Sequence, residues 1–539
     1  MQASGIHSVE LVLLLMMIFV TALAALAKRW QTPYPIVLVV GGLVLSFFPH
    51  VPHVELNPDM VFLVILPPLL FSAAYETSWR DFRFNIVSIT MLAFGLVGFT
   101  VVGVAAAARW ILPGFDWRMG LVLGAVLSTT DAIAASAIAR RVGLPKAITD
   151  ILEGESLVND ATGLLALEYA TMLLVSGSTP SLGDATLRLV YLVFGSIAIG
   201  LVAAVVIHAF ISRIEDSAIE ITISLIAPYF AYLAAESARA SGIMATVACG
   251  LYLGHKSSLY LSTGARLTGK AVWDTLTFIL NGFVFILIGF QLPYILPGLR
   301  IQRHGMFVIH GLALSVVLIL LRLIWMFPGA RIANIIRRKL LHQDVAMPNA
   351  RGVFIVGWTG MRGVVALAAA ISLPDFLASG RPFPARDLMI FLTFCVIFVT
   401  LVFQGLTLPP LIRRLGLAGD SGRHAGEQQA RQAMIEAAIA YLEQSRDIDD
   451  DSLGSMYEDL IRQQRRRLEM LDGNSAEQTG SHPGYQERYR NALRLTQGVQ
   501  RATILNLFNH DEINEDVLRR LEYELDLTEA RTNDPEHDK

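Results

Sequence analysis

Apolar runs of about 20 residues recur along this chain from Leu11 to about Leu415, each long enough to cross a hydrocarbon core of about 30 Å as a helix. No other feature restricts the fold as strongly. The composition agrees: 54% of the residues are hydrophobic and 17% are charged, with a mean hydropathy of +0.52, whereas soluble domains average about 25% charged. The expected spans are 8–27, 33–50, 59–76, 84–108, 119–139, 150–175, 189–212, 217–236, 241–255, 271–292, 306–327, 352–373 and 388–412. That makes about thirteen transmembrane helices in an all-α polytopic membrane protein. The last stretch contains Gln404-Gly405 and can also be read as a helix followed by a separate short piece.

Basic residues follow alternate spans: Lys28 and Arg29, Arg80 and Arg83, Arg140, Arg141 and Lys146, Arg213, then Lys256, Arg266 and Lys270, then Arg331 to Arg351, and finally Arg413 and Arg414. The positive-inside rule therefore places the N-terminus outside and the C-terminus in the cytoplasm. The first span lacks a basic n-region and a small-residue cleavage site, so it reads as a retained helix. After about Leu417 the composition shifts. Residues 418–539 hold 25 acidic and 15 basic side chains, leaving 21 and 28 in the membrane part. The chain thus divides into a transmembrane domain, 1–417, and an acidic cytoplasmic domain, 418–539. Helical spacing recurs in that tail at Met434, Ile435, Ala438, Ile439 and Leu442 and again at Ile504, Leu505 and Phe508, with a loop from Asp472 to Gly484. The tail's own ligand or partner is open. Cys249 and Cys395 fall inside apolar spans with no metal or disulfide spacing and read as buried hydrophobes.

Charges inside the spans carry the functional signal. An ionised group at the centre of a spanning helix costs about 2.5–3.5 kcal/mol even on the lenient insertion scale. In the fifth span, Ser128-Thr129-Thr130-Asp131 puts three hydroxyls beside a carboxylate. Hydroxyls can satisfy backbone groups where a helix is broken, and Asp131 suits the N-terminus of a half-helix. In the sixth span, Ser156 and Asp160 share one face, a hydroxyl and a carboxylate suited to a small monovalent cation. Glu155 and Asn159 share the adjacent face. Asp150 and Glu153, nearer the helix start, suit a vestibule or capping role, and Glu168 has no assigned place. Glu155 needs a positive partner, and Arg362 in Gly360-Met361-Arg362-Gly363 is the candidate, its flanking glycines allowing close approach.

These motifs resemble those of the sodium/proton exchangers, most closely the NhaP/NHE type of monovalent cation:proton antiporter. The residues that carry the resemblance are Thr129-Thr130-Asp131-Ala132-Ile133, Glu153 through Ala161, Gly360 through Gly363, Leu66-Pro67-Pro68-Leu69-Leu70-Phe71 and Gln404 through Leu411. The resemblance implies inverted repeats, two broken crossing helices and a homodimer in the plasma membrane, with a role in pH homeostasis. It implies that Asp160 binds cation and proton alternately, that Ser156 and Thr130 help ligate the cation, and that Asn159 and Asp131 shape the site. By the same pattern Glu155 and Arg362 form a stabilising ion pair. Glu236 and Ser241-Gly242-Ile243 also fit a family motif, without a direct role for Glu236. Many relatives carry an acid where this chain has Ser72, although Glu76 lies one helical turn further on.

The reading that follows is a secondary transporter, not an enzyme. It exchanges Na⁺ for H⁺, needs no cofactor and has no nucleic-acid partner. With Asn159 in place of a second acid, one carboxylate is available for exchange, which implies electroneutral one-for-one transport. A K⁺/H⁺ antiporter is the alternative, since ligand type hardly separates the two ions. A cation channel or an intramembrane aspartyl protease is a remote one, lacking a filter or a Gly-x-Gly-Asp context. His7, His50, His53, His208 and His255 read first as ordinary interfacial residues, with tuning of the pH response as the alternative. Asp160→Asn is expected to abolish cation-driven proton movement while the purified protein stays monodisperse. Wild-type exchange by that variant removes Asp160 from the site.

Overall fold

The computed structural model describes residues 3–48, 56–176, 182–298, 304–343, 348–377 and 380–417, together with 432–433, 435–444, 454–471 and a few positions between 500 and 510. The described residues are helical throughout, with one isolated bridge between Phe376 and Pro382. Two compact units divide the chain, Met1–Asp420 and Ser421–Lys539.

In the first unit the helices are α1 (Ala3–Arg29), α2 (Tyr34–Leu45), α3 (Pro58–Glu76), α4 (Trp79–Ile111), α5 (Trp117–Val126), α6 (Ala132–Val142) and α7 (Lys146–Ser176). They continue with α8 (Thr186–Ile211), α9 (Ser217–Ser237), α10 (Gly242–Tyr260), α11 (Thr263–Phe290), α12 (His304–Lys339), α13 (Ala350–Trp358), α14 (Val364–Ile371) and α15 (Arg386–Arg414). Seven of them, α3, α4, α8, α9, α11, α12 and α15, are apolar and long enough to cross a membrane. Helix α7 spans 31 residues but carries Asp150, Glu153, Glu155, Asp160 and Glu168. Its polarity is concentrated where the site lies.

The expected spans 119–139 and 352–373 are each interrupted. Residues 127–131 separate α5 from α6, and residues 359–363 separate α13 from α14. The last expected span behaves differently. It runs without a break as α15, with a π-helical turn at Thr400–Gln404 where a separate short piece was an option. Pro409 and Pro410 lie just beyond that turn. Proline lacks an N–H and crowds the carbonyl four residues earlier, and the wider turn upstream accommodates the loss. The same arrangement recurs in α3, where the π-turn Val61–Ile65 precedes Pro67 and Pro68.

Small residues set the helix spacing, as membrane packing favours. A Cβ added to Gly254 on α10 would lie 2.1 Å from the Tyr75 carbonyl on α3. In the second unit, helices cover 435–444 and Gly454–Leu471 (α16); Ile435 and Ile461 are buried, and Arg465 bonds Glu443 at 2.7 Å. The expected loop at 472–484 and the apolar positions Met434, Ile504, Leu505 and Phe508 lie outside the described residues, as do His50, His53 and the side chain of His7.

Gly254→Val is expected to destabilise the folded protein by roughly 1–3 kcal/mol through overpacking. Gly98→Ala, at a position with nothing within 4 Å, serves as the control. Thermal unfolding in detergent compares the two, and equal melting temperatures contradict the close α3–α10 contact.

Candidate functional site

The two interruptions meet each other. The Asp131 amide donates to the Met361 carbonyl at 2.8 Å. A Cβ on Gly363 would sit 2.4 Å from Asp131 Oδ2, so only glycine admits that carboxylate beside the first turn of α14. Asp131 also directly precedes α6. Its negative charge therefore lies at the positive ends of two half-helices, where such a charge is favoured. Thr359 Oγ1 donates to the Val356 carbonyl at 3.0 Å, and Ser128 Oγ to the Ala125 carbonyl at 2.7 Å. Hydroxyls thus supply additional donors to carbonyls beside the breaks.

The C-terminal ends of the broken helices are matched by a cation. Arg362 Nε donates to the Leu127 carbonyl at 3.1 Å, and Nη1 donates to the Gly360 carbonyl. Its amide donates to Thr400 Oγ1 at 3.2 Å. Arg362 is 2% exposed, its guanidinium held by carbonyl dipoles in place of a carboxylate.

The expected Glu155–Arg362 pair is therefore corrected. Glu155 pairs with Arg322 on α12, Nη1 to Oε1 at 2.5 Å and Nη2 to Oε2 at 2.7 Å. Both residues are 1% exposed. The planar guanidinium meets the carboxylate through two parallel bonds, the geometry arginine supplies and lysine does not. Arg322 Nη2 also donates to the Val356 carbonyl at 3.1 Å. Gly360 allows this approach, because a Cβ there would sit 2.3 Å from Arg322 Cδ. Arg322 was legible in principle. It is a lone charge in the run Leu318-Ile319-Leu320-Leu321-Arg322-Leu323-Ile324, but a span ending near 327 puts it close enough to an end to snorkel. The helix continues to Lys339 and leaves Arg322 at its middle.

Helix α7 distributes its polar groups by face, as the four-residue spacing requires. Glu155 and Asn159 turn toward Thr130: Thr130 Oγ1 donates to Glu155 Oε1 at 3.1 Å and accepts from Asn159 Nδ2. Ser156 and Asp160 line a cavity of about 460 Å³, together with Thr129, Thr130 and Asp131. Ser156 Oγ donates to the Thr130 carbonyl at 2.9 Å. Asp160 is 5% exposed, and its Oδ1 has no hydrogen-bond partner. Asp160, Ser156, Thr130 and Asp131 are thus brought onto one wall system, with Asn159 bracing Thr130 from beside it.

Glu153 and Glu76 also line the cavity, with Ser72 on the same wall of α3. Lys270 stands 3.9 Å from Glu76 and 3.7 Å from Asp274. Asp150 pairs with Lys146 at 3.8 Å, and Glu168 faces Arg188 at 4.0 Å, away from the cavity. Glu236 accepts from the Gly242 amide at 3.1 Å, a turn-closing contact. Cys249 is buried and Cys395 half-buried, both free. Among the described residues no group of three or more His, Cys, Asp or Glu is placed to hold a metal ion.

The family model for the sodium/hydrogen exchanger transmembrane region matches residues 14–414. An uncharacterised Na⁺/H⁺ exchanger of Mycobacterium tuberculosis is 32% identical over 524 residues, 95% of this chain and 94% of the relative. A sodium, potassium, lithium and rubidium/H⁺ antiporter of Bacillus subtilis is 33% identical over 74% of this chain and 60% of its own length. The fold is similar to that of the sodium proton antiporter MjNhaP1 of Methanocaldococcus jannaschii, with a TM-score of 0.61 at 19% identity, covering 77% of this chain and 99% of that one.

A double-mutant cycle separates the two arginines. Arg322→Ala is expected to cost roughly 3–5 kcal/mol of stability, the penalty for an unpaired buried acid, and most of it disappears when Glu155→Gln is combined with it. Arg362→Ala with Glu155→Gln shows weaker coupling. Stronger coupling to Arg362, read from unfolding in detergent, contradicts the observed pairing.

Proposed function

The chain belongs to the sodium/hydrogen exchanger family of membrane cation/proton transporters, and from this premise we propose that it exchanges Na⁺ for H⁺ with Asp160 as the shared binding carboxylate. One observation carries the reading. Glu155 is paired with Arg322 and Arg362 is hydrogen-bonded to backbone carbonyls, whereas Asp160 is buried, lines the cavity and keeps one carboxylate oxygen unpartnered. A buried charge without a fixed partner is costly, so it favours a mobile one. A proton and a monovalent cation both meet that need and exclude each other.

The coupling follows. An empty, ionised Asp160 is expensive to move across the low-dielectric barrier, and either ligand removes that cost. Conformational exchange between the two sides is therefore favoured only with a cation or a proton bound. Asn159 contributes an amide and no second titrating acid, so each cycle carries one charge in each direction and is electroneutral. Ser156 and Thr130 supply oxygens near the carboxylate, Asn159 and Asp131 hold the crossed breaks in register, and Glu155 with Arg322 fixes the helices behind them.

Helices beyond the seven long apolar ones complete about thirteen crossings in this reading, with the N-terminus outside. Glu76, Glu153 and Lys270 then lie at the cytoplasmic end, and the cavity that they line opens inward. The homodimer and a role in pH homeostasis belong to the same proposal, as does an acidic cytoplasmic regulatory unit from 418 onward. K⁺/H⁺ exchange is the second reading, favoured by the similarity to the Bacillus subtilis antiporter of sodium, potassium, lithium and rubidium.

Reconstituted liposomes test this directly. A Na⁺ gradient is expected to drive an internal pH change that an imposed membrane potential does not alter. A potential-dependent rate contradicts one-for-one exchange, and a response to K⁺ alone establishes the second reading.

A further inference from the structure

We propose that Asn281 on α11 and Ser136 on α6 decide which monovalent cation the Asp160 cavity prefers, by supplying neutral oxygens to the ion or its hydration shell. The inference rests on the exchange reading and names specificity residues for that same site.

Helix α11 presents Lys270, Asp274, Thr277 and Asn281 to the cavity at intervals of four, three and four residues, followed by Val284. This is one helical face, and Lys270 and Asn281 are separated by about 16 Å along its axis. The face changes character with depth. Lys270 and Asp274 pair with each other, and Thr277 Oγ1 donates to the Trp273 carbonyl at 2.8 Å. Asn281 is 8% exposed, and its Oδ1 has no partner. Ser136, also 8% exposed, lines the same cavity with an unpartnered Oγ, and Thr129 Oγ1 is unpartnered nearby.

Buried oxygens are normally satisfied, and exceptions call for a reason. Among the described residues, four such atoms line the Asp160 cavity: Asp160 Oδ1, Thr129 Oγ1, Ser136 Oγ and Asn281 Oδ1. Other neutral oxygens at the site are partly committed. The Thr130 hydroxyl donates to Glu155 and accepts from Asn159, and the Ser156 hydroxyl donates to the Thr130 carbonyl. A partly dehydrated cation at Asp160 needs further oxygen ligands, and Asn281 Oδ1 and Ser136 Oγ have the capacity to give them. The number and field strength of such neutral oxygens, with cavity size, govern discrimination between Na⁺ and K⁺. The smaller ion binds each oxygen more strongly. Losing one oxygen therefore weakens Na⁺ more than K⁺.

The experiment measures apparent KM for Na⁺ and for K⁺ in proteoliposomes at fixed pH, for wild type, Asn281→Leu, Ser136→Ala and Ser136→Thr. Leucine keeps the branched shape of asparagine while removing its oxygen. Asn281→Leu is expected to raise the Na⁺ KM roughly five- to tenfold, the K⁺ KM less, and to change the maximal rate less than either. Ser136→Ala shifts the Na⁺/K⁺ ratio in the same direction, and Ser136→Thr, which restores a hydroxyl, recovers most of that shift. If Asn281→Leu does not purify as a folded protein, the two Ser136 variants decide. An unchanged KM ratio in every folded variant overturns the inference while leaving wild-type exchange standing. Wild type that moves protons with neither cation overturns the exchange reading, and this inference with it.

Discussion

Glu155 and Arg322 hold the centre of the membrane unit together. The pair joins α7 to α12, and Arg322 reaches on to the Val356 carbonyl at the end of α13. Through Thr130, the same carboxylate takes hold of the break between α5 and α6. One two-pronged contact therefore references both interrupted helices to one continuous helix. A buried ion pair is weak evidence of net stability, because desolvating its members offsets much of their attraction. Removing one member, however, strands the other. The pair fixes an arrangement more than it adds strength.

Interrupted helices in an apolar surround raise a second demand, since unwound backbone has free donors and acceptors that lipid cannot satisfy. The chain meets it with opposite charges at opposite helix ends. Asp131 faces the amino ends of α6 and α14, and Arg362 faces the carbonyls at residues 127 and 360. Neither charge requires the other as an ion-pair partner. Gly360 and Gly363 make room for the contacts, and a methyl group at either position would overlap Arg322 or Asp131. Against this compensated background, Asp160 stands out through its unpartnered oxygen on the cavity wall.

The site was legible in α7 because its chemistry is local. Ser156 and Asp160, and Glu155 and Asn159, are one helical turn apart, so periodicity alone assigns their faces. The break before Asp131 announced itself through Ser128, Thr129 and Thr130, hydroxyls beside an acid in an apolar run. Arg322 was not legible in the same way. A span drawn to 327 placed it near water, and the motif around Arg362 offered a more conspicuous partner for Glu155. Asn281 and Ser136 were equally quiet, although Lys270, Asp274, Thr277 and Asn281 repeat at helical spacing through a mostly apolar helix. That stripe was present in the sequence, but nothing local says that it faces a cavity.

The sequence by itself determined the helical membrane class, the break before Asp131 through its run of hydroxyls beside an acid, and the face of α7 that carries Asp160; the break at 359–363 emerged only in the fold. These follow from local rules: hydropathy over about 20 residues, a period of 3.6, and the cost of an uncompensated charge in an apolar medium. Only the tertiary structure decided which arginine meets Glu155, which carbonyls hold Arg362, and which oxygens of α6 and α11 share the cavity with Asp160. Those choices join residues up to 235 positions apart in the chain, and charge alone does not distinguish one arginine from another. Packing does, because Arg322 is the guanidinium that α12 brings over Gly360 within reach of both carboxylate oxygens.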